Sequence, residues 1–310
     1  MGSIFTRHEK NPILTIDDLS FDAHAILNPG ATEHDGDIVL LVRIEDNDGF
    51  SSIHVARSKD GISNWKIDSK AILQRGEAGW RYEEWGCEDA RVTYIPEMMA
   101  WYITYTAYSP AGEAVGLART TDFVSAERLG LIFPPNNKDA VLFPTRFDNR
   151  WAALHRPDAG GVENIWIAYS HDFIYWGEPH AVLLEGMGPA WDAAKVGSGP
   201  PPIETKDGWL LIYHGAKYYA GSLVYRAGAV LLDRYKPHKI KASTPVCIFR
   251  GSALYEQAGL VPNSVFPTGL IQRGDELWMY YGAADTSVCL AIAKLQDLLD
   301  SLEPGPVTRR

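Results

Sequence analysis

The chain has 310 residues, of which 46% are hydrophobic and 22% are charged, and its formal net charge is −10. This apolar fraction is ordinary for a folded protein and excludes extensive disorder. The negative charge disfavours nucleic acid and anionic membranes as partners, because the summed field of the protein repels phosphate groups. No stretch approaches the roughly 20 apolar residues of a membrane-spanning helix.

Three cysteines, Cys87, Cys247 and Cys289, are too few and too widely spaced for a disulfide framework or a cysteine-rich zinc site. Free thiols in a reducing compartment are therefore expected. The first residues, Met1–Lys10, are charged and contain no apolar run typical of a secretory signal. We expect a cytoplasmic protein without a nucleic-acid or membrane partner.

Strand-forming segments recur along the whole chain. Five runs rich in β-branched, aromatic and aliphatic residues predict strands at Ile38–Ile44, Trp101–Tyr105, Trp151–Leu154, Trp209–Tyr213 and Leu277–Tyr281. Each is followed by a second run, at Ile53–Ala56, Val115–Ala118, Ile165–Ala168, Tyr225–Ala229 and Val288–Ala293. Three of these continue into a turn that contains an aspartate: Ser58-Lys-Asp-Gly61, Thr120-Thr-Asp-Phe123 and Ser170-His-Asp-Phe173. One short helix is predicted at Ala293–Leu302.

The spacing of these runs indicates a repeated unit. A small residue recurs in the second run at intervals of 50 to 63 residues, namely Ala56, Ala118, Ala168, Gly228 and Ala291. A repeat of this length with about four short strands is typical of a β-propeller blade. We therefore predict an all-β fold, a five-bladed β-propeller with a short C-terminal helix, as a single catalytic domain over residues 1–310. A β-sandwich is the alternative.

The densest group of charged and aromatic side chains lies just before the second repeat. It comprises Trp80, Arg81, Glu83, Glu84, Trp85, Glu88, Asp89 and Arg91. Aromatic rings stack on the apolar faces of sugars, and carboxylates bind their hydroxyl groups. Burial against such rings also raises a carboxyl pKa toward the range of a general acid. The segment therefore suggests a sugar site, with a solvated acidic loop held by Arg91 as the structural alternative.

A second group is cationic and lies at strand ends and in a glycine-rich loop. Its members are Lys138, Arg146, His155-Arg156-Pro157, Lys195, His214 and Tyr225-Arg226. In a chain of net charge −10, this recurrence suggests an anion site in which arginine binds phosphate through paired hydrogen bonds and lysine acts as a point charge. For each residue taken singly, an exposed surface position is the simpler interpretation.

A third group, Asn28-Pro-Gly-Ala31, Arg43 and Tyr280-Tyr-Gly-Ala-Ala-Asp285, adjoins further predicted strands. Two small residues precede Asp285 and would let a ligand approach closely, whereas Asn-Pro-Gly is also simply a good turn. The histidines show no metal-ligand spacing, and the sequence contains no nucleophile elbow, P-loop or Rossmann fingerprint. We expect no metal and no organic cofactor.

Taken in order, these segments resemble glycoside hydrolase family 130, the β-mannoside phosphorylases and related enzymes. The matching motifs are Asn28-Pro-Gly-Ala31, Leu41-Val-Arg-Ile-Glu45, Gly86-Cys-Glu-Asp-Ala-Arg-Val-Thr93, His155-Arg-Pro157, Lys195-Val-Gly-Ser-Gly-Pro-Pro-Pro202, Gly208-Trp-Leu-Leu-Ile-Tyr-His-Gly215, Val265-Phe-Pro-Thr-Gly269 and Tyr280-Tyr-Gly-Ala-Ala-Asp285. The five-bladed propeller of that family agrees with the repeat count.

The resemblance implies inverting phosphorolysis of a β-mannoside, with inorganic phosphate as co-substrate and α-mannose 1-phosphate as product. Asp89 matches the family's acid, which is thought to protonate the leaving oxygen through the mannosyl 3-hydroxyl. The implied phosphate ligands are Arg156, Lys195, His214, Tyr225 and Lys138. The implied mannosyl-binding residues are Asn28, Arg43, Glu88 and Asp285. One departure is Ala90, where the family has proline, and we expect its effect to be small.

Physical chemistry separates the phosphorylase from its alternatives. An inverting hydrolase needs a carboxylate base that activates water, whereas a phosphorylase needs cations because its nucleophile is already an anion. Arg156, Lys195 and His214 favour the phosphorylase, while Glu83, Glu84 and Glu88 keep hydrolysis as the alternative. A non-catalytic sugar-binding propeller is the second alternative. The resemblance covers β-1,2- and β-1,4-linked substrates. Family members often form homo-oligomers, and the sequence leaves the oligomeric state of this chain open.

Overall fold

The computed structural model describes residues 3–77, 79–305 and 307, and β-strands dominate it. The strands are β1 (Thr6–Arg7), β2 (Ala25–His34), β3 (Asp37–Glu45), β4 (Ser51–Ser58), β5 (Lys66–Ile67), β6 (Gly86–Ile95), β7 (Ala100–Ser109), β8 (Gly112–Thr120), β9 (Glu127–Phe133), β10 (Asn137–Leu142), β11 (Trp151–Pro157), β12 (Ile165–Ser170), β13 (Trp176–Leu183), β14 (Lys195–Ser198), β15 (Ile203–Thr205), β16 (Gly208–Tyr219), β17 (Ser222–Leu232), β18 (Ile240–Ser243), β19 (Phe249–Arg250), β20 (Val265–Arg273), β21 (Glu276–Ala283), β22 (Ser287–Lys294) and β23 (Glu303–Pro304). The all-β prediction is confirmed.

Helices are few and short. They are α1 (Leu254–Gln257), α2 (Leu295–Asp300) and the 3-10 helices Ile16–Asp18, Arg81–Glu83 and Pro96–Met98. The predicted C-terminal helix is shorter than Ala293–Leu302 because β22 continues through Lys294, which is the N-cap of α2. None of the helices in the described residues is both long and apolar enough to cross a bilayer.

All ten predicted runs lie within strands, and each pair forms an antiparallel ladder. The five ladders are β3–β4, β7–β8, β11–β12, β16–β17 and β21–β22. The strands form four hydrogen-bonded sheets, and the largest contains two repeats joined by one parallel pairing between Ser51 and Gly86. The propeller arrangement stays a prediction at this level.

The predicted aspartate turns share one hydrogen-bonding scheme. The Ser58 side chain accepts from the Gly61 amide, and Oδ1 of Asp60 accepts from two further amides of the turn. Thr120 with Asp122 and Ser170 with Asp172 repeat this pattern. The turns thus bind their own backbone donors locally, which explains why one short motif recurs after three different strands.

The hydrophobic core consists of five clusters, each between two repeats. Strands of the first and second repeats share one cluster, and the same holds for the second and third, the third and fourth, and the fourth and fifth. The remaining cluster packs β2, β3 and β4 against β20, β21 and β22, so it joins the first repeat to the fifth. Alternate side chains of each strand therefore serve different neighbours.

In three repeats, the strand just before the first predicted run contains the same irregularity. In β2, β6 and β10 a bulge places two residues opposite one residue of the partner strand. The first residue of each bulge has a positive φ: 46° at Asn28, 49° at Asp89 and 53° at Asp139. Asparagine and aspartate tolerate this left-handed conformation better than most residues. The bulges turn these three polar side chains toward a common cavity.

Candidate active site

The bulges open into a cavity of about 340 Å³. Its lining includes nine of the ten predicted site residues: Asn28, Arg43, Glu88, Asp89, Lys138, Arg156, Lys195, Tyr225 and Asp285. Strands of all five repeats or the turns next to them supply the lining, which also contains Asp139, Leu223, Val261, Ser264 and Phe266. The tenth residue, His214, is completely buried behind this lining.

One side of the cavity is built around Asp89. Nδ2 of Asn28 donates a hydrogen bond of 2.9 Å to Oδ1 of Asp89, and Nη1 of Arg43 lies 3.4 Å from the same oxygen. Nη2 of Arg43 lies 3.1 Å from Oε1 of Glu88 and 3.3 Å from Oε2 of Glu45. One guanidinium group thus faces three carboxylates. Both hydrogen bonds to Asp89 fall on Oδ1, which leaves Oδ2 for a ligand.

Two acidic side chains on this side, Asp285 and Glu88, have raised pKa values. Burial raises the pKa of Asp285 to about 6, and the nearby Asp89 charge adds to the rise. Burial also raises the pKa of Glu88; the Arg43 charge opposes this, and Asp89 reinforces it. Several carboxyl groups in one partly desolvated pocket cannot all be ionised cheaply. Asp285 therefore exchanges its proton with solvent near pH 6.

The opposite side of the cavity is cationic. Nη1 of Arg156 lies 2.6 Å from Oδ2 of Asp139, and Nη2 lies 2.9 Å from Oε2 of Glu163. Nζ of Lys195 lies 3.0 Å from Oε1 of the same Glu163. Glu163 thus bridges two cations in the way that an anionic ligand would. Nζ of Lys138 lies 3.2 Å from Oε1 of Glu113 and completes this side.

Asp139 fixes the position of two arginines beneath the cavity. Its Oδ1 lies 2.9 Å from Nη2 of Arg91, and its Oδ2 contacts Arg156. Burial alone would raise the pKa of this carboxyl, but the Arg156 and Arg91 charges hold it well below its usual range. Asp139 is therefore a permanent anion that orients Arg156 toward the cavity.

His214 supports Arg156 from behind. Its Nε2 lies 3.0 Å from Nη1 of Arg156, and burial lowers the pKa of the imidazole to about 4, against the opposing effect of Asp139. The ring is therefore neutral, and in the tautomer that carries its proton on Nδ1 the Nε2 atom accepts a hydrogen bond from Arg156. A Cβ atom on Gly197 would lie 2.4 Å from Nε2, so only glycine leaves room for this ring. Tyr225 keeps its phenolic proton as a donor, because burial raises its pKa to about 12.

Part of the acidic segment has a structural role. Glu83 is buried, where it contacts the Tyr105 hydroxyl and lies 2.9 Å from Nε of Arg128. Trp85 packs edge-on against Tyr108, and neither Trp85 nor Trp80 lines the cavity. The expectation that these two tryptophans form the walls around the acid is wrong, because both lie in the loop before β6: Trp85 is exposed there, and Trp80 packs against Arg128. Arg91 pairs with a carboxylate as the structural alternative predicted, but its partner is Asp139.

Arg146 also lies away from the cavity. It forms an ion pair with Glu97 and packs over the Trp151 ring. Sequence reasoning missed Asp139 and Glu163. Asp139 had a visible signal in the sequence. Lys138-Asp139-Ala140 and Glu88-Asp89-Ala90, one repeat earlier, share a pattern in which a charged residue is followed by aspartate and alanine. Glu163 had no such signal, since it stands in a loop whose path depends on the tertiary fold.

The cavity thus places an aspartate with one free oxygen opposite a group of cations. In the described part of the chain, no set of three histidine, cysteine, aspartate or glutamate side chains is arranged as a metal site. The arrangement suits a neutral polyol between the acidic side and the cationic side, with a small anion bound by the cations.

The sequence and the fold were compared with those of known proteins. A family model described as "beta-1,4-mannooligosaccharide phosphorylase" matches residues 7–304. The chain is 35% identical to a 1,2-beta-oligomannan phosphorylase of Thermoanaerobacter sp., covering 88% of this chain and 91% of the relative. It is 32% identical to a beta-1,4-mannooligosaccharide phosphorylase of Ruminococcus albus, covering 96% and 90%. The solved beta-1,2-mannobiose phosphorylase of Listeria innocua, in complex with beta-1,2-mannobiose, superposes with a TM-score of 0.87 at 31% identity over 96% of this chain and 98% of that one.

Proposed function

This chain belongs to glycoside hydrolase family 130, and we propose that it is an inverting phosphorylase that cleaves β-mannosides with inorganic phosphate. Its products are α-mannose 1-phosphate and the shortened acceptor. The substrate class is β-1,2- or β-1,4-linked manno-oligosaccharides, including mannosyl-glucose and mannosyl-N-acetylglucosamine. A relative named for the β-1,2 linkage and one named for the β-1,4 linkage have similar identities to this chain, 35% and 32%.

One observation carries this proposal: Arg156, Lys195 and Lys138 line the same cavity as Asp89. An inverting hydrolase would need a free carboxylate at the nucleophile side to activate water. The carboxylates present there are each paired with a cation: Asp139 and Glu163 with Arg156, and Glu113 with Lys138. A cationic wall suits a nucleophile that arrives as an anion, because the cations bind it and orient it for attack.

We assign the roles as follows. Phosphate displaces Glu163 from Arg156 and Lys195 and receives a further hydrogen bond from Tyr225. Its oxygen attacks the anomeric carbon, and the glycosidic C–O bond breaks with inversion. The proton of the Asp89 carboxyl passes to the mannosyl 3-hydroxyl, which gives its own proton to the leaving oxygen. Asp89 ends as a carboxylate and regains its proton from solvent. Asn28, Arg43, Glu88 and Asp285 hold the mannosyl unit, and His214 positions Arg156.

We also propose that the single catalytic domain, residues 1–310, is a five-bladed β-propeller. Support comes from the five clusters between successive repeats, including the one between the fifth repeat and the first. In addition, β6 contacts β2 and β10, while β20 contacts β2. The three free cysteines fit the proposed cytoplasmic location.

Incubation with β-1,2- and β-1,4-mannobiose, each with and without inorganic phosphate, tests the function. Phosphorus and proton NMR should show α-mannose 1-phosphate forming only when phosphate is present, one equivalent for each mannose released. Equal mannose release without phosphate would identify a hydrolase. Binding of either disaccharide without any turnover would identify a sugar-binding protein. The relative rates on the two disaccharides assign the linkage.

A further inference from the structure

A second cavity, of about 550 Å³, lies on the other side of β17 from the active site. Neighbouring residues of a strand point to opposite faces, so Tyr225 lines the first cavity while Arg226 lines the second. The lining of this second cavity includes Arg7, Trp191, Arg226, Arg250 and Ser252. No part of the proposed phosphorolysis uses these residues.

Two arginines in this cavity stand directly opposite each other. β17 pairs with β19 so that Arg226 is the cross-strand partner of Arg250. Side chains at such positions are neighbours, with Cβ atoms roughly 5 Å apart, and like charges there destabilise the pairing. This ladder has only two residue pairs, Arg226 with Arg250 and Ala227 with Phe249, so a repulsive pair makes up half of it. An anion between the two arginine side chains would compensate their charges.

Among residues 3–77, 79–305 and 307, no carboxylate forms an ion pair with either arginine. Every arginine in the described residues forms an ion pair with a carboxylate, apart from Arg81, Arg226 and Arg250. This exception is notable in a chain of net charge −10, where carboxylates outnumber cations. Arg226 instead packs over the Tyr219 ring at 4.8 Å, a contact that holds the guanidinium plane but leaves its charge uncompensated.

The third arginine of the cavity is already neutralised. Arg7 forms two hydrogen bonds of 2.8 Å with the Glu256 carboxylate, and its Nη2 also donates to the Arg250 backbone oxygen at 2.6 Å. Arg7 therefore anchors the backbone of Arg250 and adds no free charge. Two uncompensated guanidinium groups remain, together with the Ser252 hydroxyl as a neutral donor.

From this arrangement we propose that the second cavity is an anion site that binds the phosphate group of a small molecule between Arg226 and Arg250. The charge of a phosphate dianion balances that of two guanidinium groups, and its oxygens can accept a pair of hydrogen bonds from each guanidinium group. The cavity has room for more than the phosphate group alone, so both inorganic phosphate and a sugar phosphate belong to the same chemical class of ligand.

Titration calorimetry with inorganic phosphate and with mannose 6-phosphate tests the site. The Lys195→Ala variant serves as the parent, because it weakens the active-site contribution, and Arg226→Gln/Arg250→Gln is introduced into it. We expect phosphate affinity at the second site to fall at least tenfold. A matched control, Arg234→Gln/Arg273→Gln, removes two arginines that are paired with Glu204 and Glu33 and should leave binding unchanged. If mannose 6-phosphate binds the parent more tightly than inorganic phosphate, the ligand is an organic phosphate; equal affinities indicate inorganic phosphate.

Thermal unfolding gives a second readout that does not involve activity. In phosphate-free buffer the charges of Arg226 and Arg250 repel each other and destabilise the folded protein. Removing both charges in Arg226→Gln/Arg250→Gln should therefore leave the melting temperature equal to that of the parent or raise it. Added phosphate should raise the melting temperature of the parent more than that of the variant. If the double variant does not fold, the single variant Arg250→Gln is measured instead, because Arg250 is exposed and its replacement should leave the fold intact. Equal binding and equal phosphate response in parent and variants would overturn the proposal, even with phosphorolysis intact.

Discussion

Asn28 and Asp89 are joined by a hydrogen bond of 2.9 Å, and each begins a β-bulge with a positive φ in its own repeat. The two bulges aim side chains from different strands at one point. Asn28 and Arg43 both contact Oδ1 of the Asp89 carboxylate, and no hydrogen bond to Oδ2 is found among the described residues. The orientation of the proposed acid is therefore set before a substrate binds.

Asp89→Asn should reduce the rate of phosphorolysis by about 10²- to 10⁴-fold, the usual contribution of general acid catalysis. The amide oxygen can still accept the hydrogen bond from Asn28, so the fold should remain intact. Initial rates of α-mannose 1-phosphate formation measure the loss, and circular dichroism checks the fold. Asp48→Asn, at an exposed carboxylate outside the cavity, is the control and should keep full activity. Turnover retained in Asp89→Asn would remove Asp89 from the mechanism.

The sequence was sufficient to predict the strands, because their signals are local. Each repeat combines a β-rich run with a second run, and in three repeats an aspartate turn follows whose hydrogen bonds close within the turn. Helix α1 had no comparable signal, since it spans only Leu254–Gln257. The Glu256 side chain, which accepts from the Ser252 and Ala253 amides and from the Tyr281 hydroxyl, stabilises it. The last of these contacts depends on the fold.

The candidate site was predictable in composition but only in part in geometry. Motif order identified nine residues that line one cavity. It could not show that His214 is buried behind Arg156, because this depends on the missing side chain of Gly197 across the β14–β16 ladder. Nor could it show that Glu83 pairs with Arg128, which is distant in sequence and adjacent only after folding. Residue type suggests chemistry, whereas long-range pairing decides which residues are free to perform it.

Lys195→Ala should raise the KM for phosphate at least tenfold and change the KM for the mannoside less than about threefold. A charge-assisted hydrogen bond is worth about 1.5 to 3 kcal/mol, and Lys195 has its only described ion pair with Glu163 on the phosphate side. Steady-state kinetics with each substrate varied in turn measures the two constants. Lys217→Ala is the matched control, because its Nζ donates to the Gly188 oxygen outside the cavity. An equal rise in both constants would contradict a specific phosphate role.

Asp139→Asn should lower the free energy of unfolding by about 3 to 5 kcal/mol, since it leaves the buried Arg91 and Arg156 without their shared anion. Urea unfolding at pH 7 measures the loss. The low pKa of Asp139 means that its stabilisation is present above the ordinary carboxyl pKa and is lost as the pH falls below it. The gap between wild type and variant should therefore narrow below about pH 4. Asp148→Asn, at an exposed carboxylate beside Arg150, should change stability by less than about 1 kcal/mol.

Asp285→Asn should remove a pH-dependent loss of stability. Burial, reinforced by Asp89, raises the pKa of Asp285 to about 6 in the folded protein, above its unfolded value near 3.8. The folded state therefore holds this proton more tightly, and its contribution is full below about pH 4 and is lost as the pH rises through 6. Between pH 4 and 8 the wild type should lose up to about 3 kcal/mol relative to the variant.

Urea unfolding of both proteins at intervals across this range provides the measurement, and the difference between them cancels the titrations that they share. Asp48→Asn again serves as the exposed control and should follow the wild-type curve. If the wild type and Asp285→Asn change in parallel with pH, Asp285 is not protonated in the folded state near neutral pH.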